Sequence, residues 1–445
     1  MAGREFAEVA RLPVDPGEAS VYAEGWQSWS PTCAYRWDDR QPVAVDARQA
    51  ALGYRAGHPG PVQHGWQGEG LLAIRTAIHG PVVVVAAPSA IDVPSIRALA
   101  EGDVLRVLAD GPATIVEHPA GTALEAALTA FGSGFRSGAG GRPGRTDPPT
   151  VWCSWYRYFG DVTAADIQAN LGWMSDLDLP VDVVQIDDGY QRGIGDWLDA
   201  DPRFGDLRAV VAAIRGEGRR AGIWLAPFLV GARSALAAAH PEWLLPEAWA
   251  GSNWGQELRV LDISRPAAAA HLSRVVGEFR AMGIDYFKLD FLYAGALAGP
   301  GESDRSALER YRWGLGLIAE AAGADAFIVG CGAPMLPSVG MVDAMRISPD
   351  VALHRDPPGG DLSAPSLRSA LFTGRPRTWQ NQVLWWADPD CLIAREQFAE
   401  RELWASWVAD LGGLRSASDA IGELDPRGLR LLRSYLGGQS SAPAS

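Results

Sequence analysis

Residues Tyr286 to Gly295 read YFKLDFLYAG, a short apolar run interrupted by a lysine and a carboxylate. Side chains alternate along a strand, so Lys288 and Asp290 share a face. If that face looks into the mouth of a barrel, both reach the place where barrel enzymes do chemistry. An Asp beside an ammonium stays ionised, as a carboxylate nucleophile must. An internal Lys–Asp ion pair is the plainer use of the same spacing.

The pattern recurs along the chain. TVWCSWY, VDVVQIDD, RRAGIWLAPF, DYFKLDF, AFIVGCG, AMRISPD, VLWWADPD and LGGLRSASD follow in order, and helical segments such as Thr163–Leu177 and Pro266–Met282 lie between most of them. Strands alternating with helices in this number predict an α/β fold, a (β/α)8 TIM barrel. A doubly wound sheet is disfavoured because no Gly-rich phosphate turn follows the first strand. At nearly every strand the polar residues fall at the C-terminal end, where barrel active sites are built. Like charges held close raise one another's pKa, so stability alone gives little reason to gather Asp187, Asp188, Asp290, Asp350 and Asp388 on one rim.

Upstream the rhythm is different. LLAIRTAIHG, PVVVVAAP and DVLRVLADG are short apolar or alternating runs punctuated by Gly and Pro, the signature of antiparallel strands. They predict a smaller antiparallel, sandwich-like β domain over residues 1–135. FGSGFRSGAGGRPGRTDPP, Phe131 to Pro149, is rich in Gly, Pro and Arg and reads as a linker, bounded at 136–148. The barrel is expected over 149–440, with no β domain after it.

The 445 residues are 47% hydrophobic, enough for a sizeable core. A formal charge of -14, from 53 acidic and 39 basic residues without a Lys/Arg run, argues against nucleic acid or an anionic membrane as partner. Cys33, Cys153, Cys331 and Cys391 lie far apart and the seven histidines are scattered, so neither a disulfide framework nor a transition-metal site is suggested. An oxygen-only Mg²⁺ site is disfavoured because Lys288 puts a positive charge where the cation would sit. The N-terminus lacks an apolar leader and the run Val82 to Pro88 is too short to span a bilayer, so a soluble cytoplasmic protein is expected. Eighteen tryptophans recur beside polar residues; stacking on sugar rings is one cause, and core packing is the other.

Two carboxyls facing each other across a sugar are the minimum apparatus for glycoside hydrolysis: one attacks the anomeric carbon and the other protonates the departing oxygen. Asp350 in MRISPDV, four residues after Arg346, suits the acid/base and Asp290 the nucleophile; a turn residue is the bland reading of Asp350. In VVQIDDGY, Asp187 and Asp188 leave a strand just before Gly189, placed to accept hydrogen bonds from sugar hydroxyls.

WCSWYRYF, VVQIDDGYQRGIGDWL, GIWLAPFLV, YFKLDFLYAGAL, FIVGCGAPMLPSVGMVDAMRISPDVA and WWADPDCLIARE together resemble the α-galactosidases of glycoside hydrolase family 36, within clan D, especially the compact bacterial type. The resemblance runs from Pro149 to about Asp419, in order and with similar spacing. It implies a retaining enzyme that removes terminal α-galactosyl groups from small substrates such as melibiose or raffinose. The implied mechanism is double displacement through a covalent intermediate, without cofactor or metal. By this resemblance Asp290 takes the nucleophile's place and Asp350 that of the acid/base. Asp188 and Asp187 match the clamp on the 4- and 6-hydroxyls, and Trp224 lines the site. Lys288 matches a ligand of the 3,4 side, Cys331 and Arg346 lie near the 2- and 3-hydroxyls, and Tyr158 borders the nucleophile. In EGWQSWS, Glu24 to Ser30, Trp29 lines the sugar site from the N-terminal domain and Trp26 packs. The family's common C-terminal β domain is expected to be absent, the N-terminal one short, and the loop ALHRDPPGGD lacks an expected aromatic. An α-galactosyl transglycosylase or an α-N-acetylgalactosaminidase shares this chemistry. A catalytically silent sugar-binding protein and a metal-dependent barrel enzyme are alternatives of other classes; retention of both carboxyls speaks against the first, Lys288 against the second.

Overall fold

The computed structural model describes residues 5–58, 60–61, 64–142, 144, 147–301 and 303–438. The barrel end expected at residue 440 lies outside them. Eight parallel strands make one sheet: β1 Thr150–Cys153, β2 Val183–Ile186, β3 Arg220–Leu225, β4 Ile284–Leu289, β5 Phe327–Gly330, β6 Ala344–Arg346, β7 Trp386–Asp388 and β8 Arg415–Ala417. β1 pairs with both β2 and β8, and the seam between β7 and β8 is bridged by Leu414 N–H donating to Ala387 O at 2.9 Å. The predicted barrel is therefore present, with each of the eight expected segments supplying one strand.

Alternation along the strands divides the barrel interior into two levels. Val151, Val183, Tyr286, Phe327 and Ala344 form one apolar cluster, with Tyr286 stacked on Phe327 at 5.7 Å between ring centres. Two and four residues further on, the same inward positions become Cys153, Gln185 and Asp187, Lys288 and Asp290, Arg346. β1, β2, β4 and β6 thus plug the barrel with their first residues and arm it with their last. The crossover helices are set by ordinary end signals. Thr163 and Asp166 form a capping box at the start of Ala164–Asp176, and Gly283, with φ 101°, closes Pro266–Met282. Among the described residues no helix is long and apolar enough to cross a membrane.

Before the barrel, two antiparallel sheets face each other. One holds strands Ala7–Pro13, Val104–Ala109, Ser95–Glu101 and Gly65–Glu69; the other holds Cys33–Arg36, Ser20–Ala23, Leu71–Arg75, Val82–Ala86 and Thr114–His118. The run of valines explains how this domain is attached. Val83 and Val85 join the core between the sheets, whereas Val82, Val84 and Ala86 join the core that continues into the barrel. A strand buried on both faces reads as a continuous apolar run, and this one does.

The stretch expected to be a linker is in part a helix, Leu124–Ala139. Its glycines made the composition look flexible, since glycine in a helix costs about 1 kcal/mol relative to alanine. Tertiary packing overrides that preference. A Cβ on Gly132 would lie 2.7 Å from the Trp379 ring and 2.8 Å from Val383, so only a residue without one lets the helix approach the barrel. The expected boundary at residue 135 therefore falls inside a helix that packs against both the β domain and the barrel wall.

The segment Glu24–Ser30 is clamped onto the barrel. Arg377 and Glu24 are both fully buried and paired at 2.7 Å. Arg377 also donates to the carbonyls of Ser28, Gln27 and Ile347 at 2.7, 3.1 and 3.0 Å. Gln380 and Tyr22 donate to the second Glu24 oxygen at 2.8 and 2.6 Å. Beside this clamp, helix Ala47–Gly53 leans over the barrel mouth toward the hairpin Leu244–Asn253/Gln256–Leu261, where Arg48 Nε donates to Ser252 O at 3.3 Å.

Candidate active site

The C-terminal strand ends open into a cavity of about 540 Å³. Its inner wall carries Asp187, Asp188, Trp224, Lys288, Asp290 and Asp350. Trp29, Trp155, Trp254 and Phe291 supply aromatic surface, and Arg48, Gln49, Leu52 and Ser363 stand among the lining residues from the N-terminal helix and the loop after Asp350. A second cavity of about 370 Å³, between helix Leu124–Ala139 and the valine strand, is lined by groups such as Val84, Phe131 and Phe135 and holds no carboxylate.

Asp290 follows β4 directly. One oxygen accepts from Trp224 Nε1 at 3.0 Å and the other from the Phe291 N–H at 2.7 Å. Two donors without formal charge therefore fix this carboxylate. Phe291 turns its N–H onto Asp290 by taking φ 50°, a left-handed conformation that costs about 1–2 kcal/mol in a residue with a Cβ. Trp254 and Asp390 are likewise left-handed, at φ 49° and 95°. Such strain collects where a site dictates backbone direction.

Asp187 is the best-satisfied carboxylate of the inner wall. One oxygen accepts from Lys288 Nζ at 3.0 Å, Gln185 Nε2 at 2.5 Å and Cys153 Sγ at 3.3 Å. Burial by itself would lower the Lys288 pKa, but the Asp187 carboxylate, with Cys153 and Asp290 adding to it, outweighs burial and holds the ammonium well above its usual range. Asp188 accepts from Gln191 Nε2 at 2.6 Å and from Trp254 Nε1 at 2.8 Å. Burial pushes its carboxyl up from the usual range, Asp187 and Asp290 add to that, and these two hydrogen bonds oppose it.

Asp350 sits on the other side of the mouth with 29% of its side-chain surface open to the cavity. Arg346, itself only 2% exposed, donates to it at 2.9 Å and also faces Asp388 at 3.1 Å and Asp390 at 2.9 Å. Depth in the barrel mouth raises the Asp350 pKa; Arg346 and Lys288 oppose the rise, and Asp290 and Asp187 reinforce it. One rim thus carries a carboxylate fixed by neutral N–H groups and a carboxyl inclined to keep its proton. That division suits a nucleophile and an acid.

The structure gathers most of the residues expected from the sequence. Trp29, Asp187, Asp188, Trp224, Lys288, Asp290 and Asp350 line one cavity. Cys331 and Arg346 are buried beside it without forming its wall, at 1% and 2% exposure, and burial pushes the Cys331 thiol up. Tyr158 is not brought to the cavity. Its hydroxyl accepts from Asn170 of the first crossover helix at 2.8 Å and its ring meets Trp152, so the polar end is already satisfied away from the mouth. The aromatic of that turn on the cavity wall is Trp155, while Tyr156 donates its hydroxyl to Asp390.

Several site residues escaped the sequence reading. Trp254 stands alone at a hairpin tip in SNWGQ, and no spacing ties it to β2. Gln191 follows the IDD pair by three residues, a visible but unspecific signal. Asp390 lies in the same WADPD stretch as Asp388, and sequence gives no means of telling which carboxylate turns inward.

Residues 146–318 match the family model of Melibiase. An α-galactosidase from Thermus thermophilus, solved with p-nitrophenyl α-D-galactopyranoside, is 30% identical with a TM-score of 0.79, over 97% of this chain and 89% of that one. The same enzyme solved with stachyose aligns at 29% identity and a TM-score of 0.78, over 97% of this chain and 93% of that one. A family 36 α-galactosidase from Geobacillus stearothermophilus shares the fold, with a TM-score of 0.62 at 14% identity over 96% of this chain and 61% of that one. Among curated sequences, a probable α-galactosidase G of Emericella nidulans is 31% identical over 134 residues, 25% of this chain and 18% of that protein. The matched part is therefore a small share of that curated relative's length.

Proposed function

The chain belongs to the α-galactosidases of glycoside hydrolase family 36, and from that premise we propose that it is a retaining enzyme releasing terminal α-galactosyl groups by double displacement. The observation that carries this reading is the opposite holding of two carboxyls in one cavity: Asp290 by two neutral N–H donors, Asp350 by an arginine shared with Asp388 and Asp390. In the first step Asp290 attacks the anomeric carbon while Asp350 passes its proton to the departing glycosidic oxygen. In the second, Asp350, now a carboxylate, takes a proton from water as that water attacks the same carbon and releases Asp290. The expected separation of the two carboxyls is roughly 5 to 6 Å, the retaining distance.

Recognition follows from groups already in place. Asp188 and Asp187 accept from the 4- and 6-hydroxyls, and Lys288 donates on the 3,4 side. A sugar with the wrong configuration would leave those buried groups unpaired, which is how a polar site rejects an epimer. Trp29 adds a donor: its Nε1 is buried without a hydrogen-bond partner among the described residues, and its ring lines the cavity. Arg346 acts through Asp350, and Cys331 packs behind the cavity wall. The outer lining, Arg48, Gln49 and Ser363, faces the aglycone of a small oligosaccharide, in line with the stachyose bound to the Thermus enzyme.

The test is turnover of p-nitrophenyl α-galactoside by the wild type and by Asp290→Ala. Loss of the nucleophile is expected to lower kcat by about 10⁴-fold or more, with azide restoring turnover and giving the β-galactosyl azide. An inactive wild type, or an α-configured azide product, would overturn the assignment.

A further inference from the structure

Asp390 has no part in the two steps above, yet it is the most constrained carboxylate at the rim. It is fully buried and its backbone is held at φ 95°. One oxygen accepts from the Cys391 N–H at 2.6 Å and faces an Arg346 nitrogen at 2.9 Å. The other accepts from the Val351 N–H at 2.8 Å and from the Tyr156 hydroxyl. Val351 directly follows Asp350, so Asp390 grips the backbone that carries the acid/base. Arg346 reaches Asp350, Asp388 and Asp390 together, one cation for three carboxylates.

We propose that Asp390 is a positioning residue for acid catalysis: it anchors the backbone after Asp350 and draws the charge of Arg346 away from it, so that Asp350 can carry the proton the leaving group needs. This rests on the hydrolase reading and goes beyond it. A guanidinium serving Asp350 alone would favour the ionised carboxylate and strip the acid of its proton. Sharing prevents that.

The other groups around the pair are accounted for. Asp350 faces Arg346, Lys288 and Asp290 from β4, and Asp187 from β2, with Tyr156 and Cys331 close by. Asp390 faces Arg346, Asp350, Asp388 and Tyr156; burial pushes it up to about 7, the two carboxylates add to that, and Arg346 and Tyr156 oppose it. Its four donors favour the charged form.

The experiment is the pH profile of kcat/KM, which reports the free enzyme, for melibiose and for 2,4-dinitrophenyl α-galactoside, in the wild type, Asp390→Asn and Tyr156→Phe. Asn preserves the size of the side chain and tolerates a left-handed backbone. In Asp390→Asn the alkaline limb for melibiose is expected to move down by about one pH unit, the scale of a 1.4 kcal/mol change. Tyr156→Phe removes one donor from the Asp390 carboxylate and is expected to move the limb the same way by less. The dinitrophenyl substrate, whose leaving group departs without a proton, is expected to lose less than melibiose. Unmoved limbs in both variants, or equal losses on both substrates at every pH, would give Asp390 a merely structural role and overturn the proposal. Should Asp390→Asn lack a cooperative unfolding transition, Tyr156→Phe decides alone. A wild type inactive on both substrates would instead remove the hydrolase reading itself.

Discussion

Two of the most deeply buried arginines, Arg377 at 0% and Arg346 at 2% exposure, are used in opposite ways. Arg377 meets one carboxylate, Glu24, and spends its other donors on the backbone carbonyls of Gln27, Ser28 and Ile347. Its charge is matched one to one, and its geometry ties the N-terminal β domain to the barrel. Arg346 meets three carboxylates and no balanced partner. A matched buried pair with carbonyl acceptors makes a clamp, because each polar group is satisfied. An oversubscribed cation leaves some carboxyl under-compensated, and that group is free to hold a proton. The ratio of charges, more than burial, separates a structural arginine from one that tunes chemistry.

The sharpest way to break this contrast is Arg377→Met. It leaves Glu24 buried without its cation, and a loss of about 3–5 kcal/mol is expected, read as a lower urea midpoint at unchanged slope. A loss below about 1 kcal/mol would mean that the clamp is no stronger than a surface pair. Glu24→Gln keeps most acceptor geometry while removing the charge, and is expected to cost less, about 1–3 kcal/mol. The smallest effect tests what the clamp positions. Trp29→Phe keeps an aromatic surface and removes the unpartnered N–H, so KM for an α-galactoside is expected to rise about tenfold, the equivalent of 1.4 kcal/mol, with the unfolding midpoint nearly unchanged. Trp26→Phe is the control. Trp26 is 6% exposed, with Arg55 over its ring at 4.2 Å, and its change should lower stability and leave KM alone. Equal shifts of midpoint in both variants with unaltered kinetics would detach Trp29 from the sugar.

The barrel was legible because its signal is local. Most strands write their burial into a short apolar run and carry a polar residue at or just past its C-terminal end, so Lys288 and Asp290 could be put on one face from alternation, and Asp187 and Arg346 at strand ends. Helix Leu124–Ala139 was not legible, because its Gly132 serves a close approach to Trp379 that lies far away in sequence. Tyr158 and Tyr156 show the same limit on a finer scale. Both stand in one short turn rich in aromatics, and only the position of Asn170 on a neighbouring helix decides which hydroxyl is drawn away from the rim.

By itself, then, the sequence determined the alternation of strand and helix, the apolar floor of the barrel and the carboxylates at its rim, because period-two burial and helix end signals act over a few residues. Only the tertiary structure decided how those carboxylates are held. Glu24 finds Arg377 across 353 positions, Trp254 reaches Asp188 across 66, and Asp390 meets Tyr156 across 234. Charge sharing of this kind depends on distances between separate strand ends, and no spacing along the chain encodes them.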